Sequence, residues 1–435
     1  MTSRIWNLTR PGRHHIGALT LGLFAMLATP PAAAADDLVL RWNEIAVQRT
    51  TIGTNPINQT RIMAATQLAV FEAVNAITGE YEPYLEPAIV APAGASVDAA
   101  IVSAAHRMLT VYLPFGPAIA ALNAARDLDL GTIPSGPSKD DGIAVGVAAA
   151  NAMLALRAGD VPPPPTVVIP APGGPGDYQL TTGCPNSVFY HWQGVRPFAI
   201  SDVTAYLLPP PPALTDNLYA KDYDEVKAVG AAVGADRPFD RAEVAILYGL
   251  LLSPTMALNT ATRQIIASKG LSPSESARSL ALVTMGIADS VIASFYNKYQ
   301  HNFWRPETGI RNGLTDGNHT REGDSEFTTF LGTPCFPSYP SNHGSATNGG
   351  LEVMRRLFGA ADHDITLTAT LPAQGSFPAL VITRHYAQLK EIADDVSDAR
   401  VYAGIHWRFD QVGSEVLGRA IGTEVVKTHL RPAHP

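Results

Sequence analysis

The chain has 435 residues, of which 46% are hydrophobic, and its formal net charge is −8 at pH 7. This length and composition fit one large globular domain or two to three smaller ones, and they argue against an intrinsically disordered chain. The acidic balance, with no block of like charge, argues against a nucleic-acid-binding surface, so a site for an anion would need basic residues placed locally.

The first 35 residues are predicted to be a secretory signal peptide. Three arginines charge the start, an apolar run extends from Ile16 to Ala28, and three alanines that end at Ala35 fit a cleavage site before Asp36. An uncleaved anchor helix is the alternative, but the apolar run is short for crossing a bilayer. No other stretch reads as a transmembrane helix. We therefore expect an exported mature protein, either periplasmic or extracellular.

Residues 36–156 are predicted to be mainly helical. The segment from Arg61 to Ile77 is apolar on nearly every face, which is typical of a buried helix. An alanine-rich helical pattern continues from Ala100 to Leu113 and from Gly142 to Leu156.

Residues 157–215 differ from the helical segments on either side of them. Proline runs at 162–165 and 209–212 predict turns and extended polyproline structure rather than helix. Because helices resume at 216–430 without a change in composition, we expect this Pro-rich surface excursion to wrap a single helical domain of residues 36–435.

The clearest helix in the second half should extend from Pro273 to about Tyr299. Ser272 is a suitable N-cap, Pro273 suits the first helical position, and Glu275 completes a capping box. No run of alternating polar and apolar residues predicts a strand of convincing length. The predicted fold class is therefore mainly α, with a bundle-like packing of long helices.

The two cysteines, Cys184 and Cys335, lie far apart in the sequence. An oxidising compartment would permit a disulfide between them, but sequence alone does not bring them within bonding distance. Their spacing has no metal-ligand pattern.

Two basic residues follow the apolar face of the long predicted helix. Lys298 shares that face with Ile287 and Val291, where an ammonium group is costly unless it is paired. The alternative is that Lys298 reaches water from near the helix end. Arg305, which precedes Pro306, offers a planar fork of donors suited to phosphate-like oxygens, although a surface arginine before a turn would look the same.

The segment from Phe336 to Gly344 predicts the start of another helix, which should end near Gly359. Ser341 or Asn342 can act as its N-cap, and a helix N-terminus with free N–H groups binds anions. The Ser341 hydroxyl adds a donor, and His343 can titrate near neutral pH. An ordinary capped helix followed by a solvated histidine is the alternative.

The last segment combines Arg400 with His406 and Asp410. On a helix, His406 and Asp410 would share a face because they are four residues apart. The carboxylate could then fix the imidazole tautomer and orient the other ring nitrogen as a nucleophile or metal ligand. A surface His–Asp pair is the alternative. Together, the three segments supply what is needed to hold a tetrahedral oxyanion and attack it along one axis.

In order and internal spacing, these segments resemble the motifs K-x6-R-P, P-S-G-H and S-R-x5-H-x3-D. Those motifs mark vanadium-dependent haloperoxidases and the related type 2 phosphatidic acid phosphatases and bacterial acid phosphatases. The matching residues are Lys298, Arg305-Pro306, Pro340-Ser341-Asn342-His343, Ala399-Arg400, His406 and Asp410. Upstream, FEAVNAI at 71–77 and the segment from Trp192 to Gly230 are similar to bacterial haloperoxidase-type members. The resemblance implies the helical-bundle fold of the vanadium haloperoxidase and acid phosphatase type.

The resemblance also implies a role for each matching residue. The residues that would hydrogen-bond the oxygens of vanadate or phosphate are Lys298, Arg305, Ser341, Arg400 and, through its backbone N–H, Asn342. His406 would bind vanadium as its metal ligand, or attack phosphorus to give a phosphohistidine. Asp410 would orient His406, and His343 would act as the catalytic acid–base.

Two positions depart from the family motifs. Asn342 stands where the motif has Gly, which would narrow the pocket or weaken oxyanion binding. Ala399 replaces a Ser, a change that should matter less. Phe336 occupies a position that is Phe in fungal chloroperoxidase-like members and His in algal bromoperoxidase-like members. This favours a protein unlike the algal type and leaves the halide open.

The first functional interpretation is a vanadate-dependent haloperoxidase that oxidises a halide with hydrogen peroxide. The alternative is an exported acid phosphatase that needs no cofactor and hydrolyses a phosphomonoester through phospho-His406, while His343 protonates the leaving group. A third interpretation is a non-catalytic oxyanion-binding protein. It is disfavoured because both histidines, Lys298 and both arginines are present.

Overall fold

The computed structural model describes residues 37–165, 173–318, 322–373 and 379–433. The predicted signal peptide at 1–35 lies outside these ranges. The α-helices within them are Leu38–Gly53 (α1), Pro56–Thr78 (α2), Val97–Tyr112 (α3), Gly116–Thr132 (α4), Pro137–Leu156 (α5), Asn217–Val229 (α6), Phe239–Ile246 (α7), Pro254–Lys269 (α8), Pro273–His301 (α9), Pro306–Arg311 (α10), Asn342–Phe358 (α11), Leu389–Tyr402 (α12) and Arg408–Thr428 (α13). The predicted mainly α fold is confirmed.

Helix α9 forms the centre of the bundle and packs against α2, α8, α11 and α13. The predicted capping box of Ser272 and Glu275 starts it, and Asn302 in the left-handed region ends it. Its residues are buried on almost every face, because small and apolar side chains surround it on all sides. The expectation that no stretch after the signal peptide is long and apolar enough for a membrane span is wrong for α9 by length and composition alone. In this structure, 94% of its most apolar window is buried inside the protein, as in the core helix of a bundle.

Two buried polar residues of α9 fasten the Pro-rich excursion to the bundle. The Asp289 carboxylate accepts hydrogen bonds from the backbone N–H groups of Phe198 at 2.7 Å, Ala199 at 2.7 Å and Ile200 at 3.0 Å. Asn297 accepts from the N–H of Leu208 at 2.7 Å. Unpaired backbone groups inside a protein are costly, so these bonds let an irregular segment pack on the central helix.

The expectation that the chain contains no convincing strand is wrong at one place. Ile365–Leu371 (β1) pairs antiparallel with Leu380–Tyr386 (β2), in a register that sets Ile365 opposite Tyr386. In β1, apolar residues alternate with threonines, and both Ile365 and Leu367 are buried. This is the period of a half-buried strand, and β-branched threonine suits the outward positions.

The ends of five helices meet at one end of the bundle. The last turns of α9 and α12 approach the first turns of α10, α11 and α13 there. The motif residues predicted from the sequence, in the segments 298–306, 336–344 and 399–410, lie at this junction. Each of these residues is at a helix end or within a few residues of one.

Candidate active site

Arg305 links two of the converging segments. It is the N-cap residue of α10 and is fully buried. Its Nε donates to the carbonyl of Phe336 at 2.8 Å, and its Nη1 donates to the carbonyl of Ile405 at 2.8 Å and to Nε2 of His406 at 2.9 Å. Its Nη2 has no partner. Arg305 is therefore not the surface arginine of the alternative interpretation.

Lys298 lies in the last turn of α9 and is 0% exposed, so it does not reach water. Its Nζ donates to the backbone carbonyls of Pro337 at 2.9 Å, Ser338 at 2.6 Å and Pro340 at 2.5 Å. An ammonium group has three donors, and all three are used here. In this structure Lys298 holds residues 336–341, the oxyanion loop, and contributes charge rather than a free donor to the site.

His406 and Asp410 are paired, but the predicted shared helix face is wrong. Helix α13 starts at Arg408, so His406 precedes the helix and Asp410 lies in its first turn. The Asp410 carboxylate reaches back to the N–H of Trp407 at 3.1 Å and to Nδ1 of His406 at 2.7 Å. The pairing therefore comes from the capping geometry of α13, in which an acid in the first turn bonds backwards.

Ser338 completes this arrangement, and sequence analysis did not single it out. Its hydroxyl donates to Oδ2 of Asp410 at 2.6 Å, and its side chain is fully buried. Oδ2 of Asp410 therefore accepts from Ser338, His406 and Trp407 together. The available signal was a serine between the two prolines that lead into α11, Pro337 and Pro340.

The N-terminus of α11 faces the same junction. Ser341 is its N-cap and accepts from the N–H of Gly344 at 3.2 Å, while its own N–H donates to the Asp410 carbonyl at 3.2 Å. Asn342 is 5% exposed, and neither polar atom of its carboxamide has a partner. Its backbone φ is not positive, so the motif position does not need glycine for backbone conformation here. His343 is partly buried, and it follows Asn342 in the first turn of α11.

Arg400 brings a second buried guanidinium to the site from the last turn of α12. Its Nε and Nη1 have no partner. Burial, together with repulsion from Arg305, lowers the pKa of Arg400 to about 9. Burial also lowers the pKa of Arg305 to about 10, in spite of the opposing Asp410 charge.

Burial is the main cause of the pKa shifts of the remaining titratable groups, and the neighbouring cations add to it for Lys298 and for both histidines. Burial and then Arg305 hold the pKa of Lys298 well below its usual range. Burial, followed by the neighbouring cations, holds the pKa values of His343 and His406 well below 6.5, so both rings are neutral at pH 7. Burial raises the pKa of Asp410 to about 6. A neutral His406 whose Nδ1–H donates a hydrogen bond to Asp410 has a lone pair on Nε2.

We call Lys298, Arg305, Arg400 and the first turn of α11 the cationic pocket. With its three cations protonated, the pocket has two positive charges more than Asp410 can balance. Buried charges are costly unless they are paired, and the unpartnered donors are Arg305 Nη2, Arg400 Nε, Arg400 Nη1 and Asn342 Nδ2. A multiply charged tetrahedral oxyanion such as vanadate or phosphate supplies both the missing charge and the missing acceptors, so the residues present fit that group.

The chain is similar to a known family model and to a curated protein. Residues 278–434 match the family model of the VCPO second helical-bundle domain. The chain is 24% identical over 316 residues to the vanadium chloroperoxidase of Curvularia inaequalis, with 58% of this chain and 50% of that protein aligned. The match thus spans about half the length of that relative.

Solved structures agree on the fold. A bacterial vanadium-dependent iodoperoxidase superposes with a TM-score of 0.73 at 21% identity, over 92% of this chain and 97% of that one. An apo-type bacterial vanadium-dependent chloroperoxidase superposes with a TM-score of 0.68 at 15% identity, over 86% of this chain and 94% of that one.

Proposed function

We propose that this chain, which belongs to the vanadium haloperoxidase superfamily, is an exported vanadate-dependent enzyme that oxidises a halide with hydrogen peroxide. The observation that carries the proposal is the position of His406, whose Nδ1 lies 2.7 Å from the Asp410 carboxylate and whose Nε2 lies 2.9 Å from the guanidinium of Arg305. With the proton on Nδ1, the Nε2 lone pair faces the cationic pocket and accepts a hydrogen bond from Arg305, which bound vanadium would replace.

Each residue of the site has a part in this function. His406 Nε2 would bind vanadium, and Ser338 and Asp410 would keep the Nδ1 proton in place so that this lone pair stays available. Arg305, Arg400, Asn342 and the α11 N-terminus would hold the vanadate oxygens, and the charge of Lys298 would favour the anion. When bound, vanadate supplies a Lewis-acidic centre that activates hydrogen peroxide towards halide.

His343 is the group that we assign to proton transfer. Its imidazole is neutral at pH 7 and partly exposed, so it can take a proton from a bound reactant and exchange it with solvent. The nearby cations disfavour its protonated form, and a bound anion would raise its pKa.

The disulfide between Cys184 and Cys335 supports the proposal of export. Disulfides persist in secreted and periplasmic proteins and are rare in the reducing cytosol. The pairing also answers the question that the sequence left open about these two cysteines.

The test uses mature protein purified without phosphate. We expect halide oxidation with hydrogen peroxide only after orthovanadate is added, and we expect excess phosphate to suppress it by competing for the same pocket. Iodide, bromide and chloride are assayed separately, because the pocket geometry does not choose among them. Phosphate release from a generic phosphomonoester, inhibited by vanadate and without any halide oxidation, would establish the phosphatase alternative instead. Oxyanion binding with neither activity would establish the non-catalytic interpretation.

A further inference from the structure

A buried carboxylate that is not one of the groups of the cationic pocket lies two residues after Arg305. Glu307, in the first turn of α10, is 3% exposed. Its Oε1 accepts hydrogen bonds from the backbone N–H of Thr182 at 3.0 Å and from the Thr182 hydroxyl, and it lies 2.9 Å from Nη1 of Arg311. Its Oε2 accepts from the hydroxyl of Thr333 at 2.9 Å. Both oxygens of Glu307 are therefore occupied, and Arg311 balances its charge.

The two threonines that Glu307 holds are equally spaced from the disulfide. Thr182 lies two residues before Cys184, and Thr333 lies two residues before Cys335. The Pro-rich excursion and the segment that leads into the oxyanion loop are thus joined twice, once by a covalent bond and once through the carboxylate of Glu307. This arrangement connects Glu307 to the loop without placing it in the pocket.

Helix α10 holds both ends of residues 333–336. Arg305, its N-cap residue, donates from Nε to the carbonyl of Phe336 at 2.8 Å, and Glu307 accepts from Thr333 at the other end of the segment. Because Arg305 and Glu307 belong to the same first turn, their separation is set by the helix. If the Thr333 contact is lost, Arg305 alone ties this segment to α10, although its guanidinium must also face the oxyanion.

We propose that Glu307 is a positioning residue of the cationic pocket. Through Thr333, it sets the start of the oxyanion loop against Arg305, whose buried Nη2 is left without a partner for an oxyanion to occupy. This inference rests on the proposed function only in taking the pocket as the oxyanion site. Glu307 acts through the loop, so its removal should lower oxyanion affinity.

Electrostatics alone predicts the opposite sign. A carboxylate near an anion site repels the anion, so Glu307→Gln would strengthen oxyanion binding if only the charge mattered. A loss of affinity in this variant therefore identifies a positioning role. Thr333→Val removes the same contact without changing any charge, and it decides the question by itself if Glu307→Gln does not fold.

A second buried acid provides a matched control pair. Glu352 of α11 is 4% exposed, pairs with Arg355 and Arg356 at 2.7 Å each, and accepts from the hydroxyl of Thr423 at 3.2 Å. It thus has the same kinds of partner as Glu307 but does not contact the oxyanion loop. The control variants are Glu352→Gln and Thr423→Val.

The experiment measures the affinity for vanadate and for inorganic phosphate by equilibrium dialysis, and the Tm of the oxyanion-free protein. We expect both oxyanions to bind about tenfold more weakly in Glu307→Gln and in Thr333→Val, the order of effect of one hydrogen bond to a charged group. The double variant should bind about as weakly as Glu307→Gln, because both changes break the same contact. Thr333→Ser keeps the hydroxyl and should bind like the unaltered protein. The control variants should lower Tm and leave both affinities unchanged.

Unchanged or stronger oxyanion binding in Glu307→Gln and Thr333→Val would overturn the positioning role, and so would losses that multiply in the double variant. An equal loss of affinity in the control pair would also overturn it, because the effect would then follow from stability alone. Vanadate-dependent triiodide formation from iodide is measured separately on the unaltered protein. If phosphate binds but no triiodide forms, the proposed function fails while the affinities still decide the role of Glu307. If neither oxyanion binds to the unaltered protein, both proposals fail.

Discussion

Nδ1 of His406 lies 2.7 Å from Oδ2 of Asp410, although the two residues share no helix. The same oxygen lies 2.6 Å from the hydroxyl of Ser338. Ser338 and Asp410 thus fix the proton on Nδ1 of His406. The other ring nitrogen, Nε2, then faces the cationic pocket without a proton. The oxyanion loop and the start of α13 must therefore be correctly placed together for His406 to take the role proposed for it.

Ser338→Ala should shift the acidic limb of the activity profile to higher pH. The Ser338 hydroxyl lowers the pKa of Asp410, which burial has raised to about 6, so its loss raises that pKa further. Asp410 is then protonated over a wider range and no longer holds the Nδ1 proton. Loss of one hydrogen bond to a charged group corresponds to about tenfold or more in turnover near pH 6. Triiodide formation from pH 4 to 8 measures this, with the buried α9 residue Ser279→Ala as control. An unshifted limb would show that Ser338 only fills space.

His406→Ala and His343→Ala should separate binding from turnover. The first removes the Nε2 lone pair and should abolish vanadate binding, measured by equilibrium dialysis. The second removes a partly exposed proton carrier and should leave vanadate binding within a few-fold while turnover falls by roughly 10²–10⁴. Undiminished activity in His406→Ala would remove that residue from the mechanism. Loss of vanadate binding in His343→Ala would mean that the two roles are assigned wrongly.

Asn342→Asp should stabilise the vanadate-free protein and weaken vanadate binding. The change keeps the shape of the side chain but adds a carboxylate to the first turn of α11, which is part of the cationic pocket, and this negative charge should offset the repulsion among the cations. The same carboxylate repels an oxyanion. We expect a higher Tm without vanadate and at least about a tenfold loss of vanadate affinity, equivalent to about 1.4 kcal/mol. Asn348→Asp, further along α11, is the control. Unchanged affinity would place Asn342 outside the vanadate site.

The stability of the vanadate-free protein should rise as pH increases from 7 to 9. The pKa of Lys298 is lowered in the folded state, so in this range the unfolded chain binds more protons than the native one. The unfolding free energy then increases with pH, by at most about 1.4 kcal/mol per pH unit for one group. Urea unfolding at several pH values tests this. Saturating phosphate should reduce the slope, because an anion in the pocket restores the pKa of Lys298. A slope that phosphate does not alter would contradict the proposed pocket.

The sequence alone predicted the mainly α class, the limits and capping of α9, and the residues that meet at the junction. Those residues could be predicted because their order and internal spacing resemble the family motifs, whereas each segment read by itself also fitted an ordinary structural role. The pairing of His406 with Asp410 was expected for the wrong reason, since a four-residue separation fits both a helix face and a backward-reaching cap. The alternating β1 pattern was present but short. The three carbonyl acceptors of Lys298 could not be foreseen, because they depend on how the oxyanion loop folds back over the end of α9.

The disulfide joins Cys184 of the Pro-rich excursion to Cys335, the residue before Phe336. The carbonyl of Phe336 accepts a hydrogen bond from Nε of Arg305. The disulfide is therefore linked to the helix junction through a single peptide unit. Protein made in a reducing host should have a more mobile oxyanion loop and a lower affinity for vanadate, even when its helices are fully formed. The redox history of a preparation thus becomes a variable of its activity, to be recorded alongside pH and cofactor content.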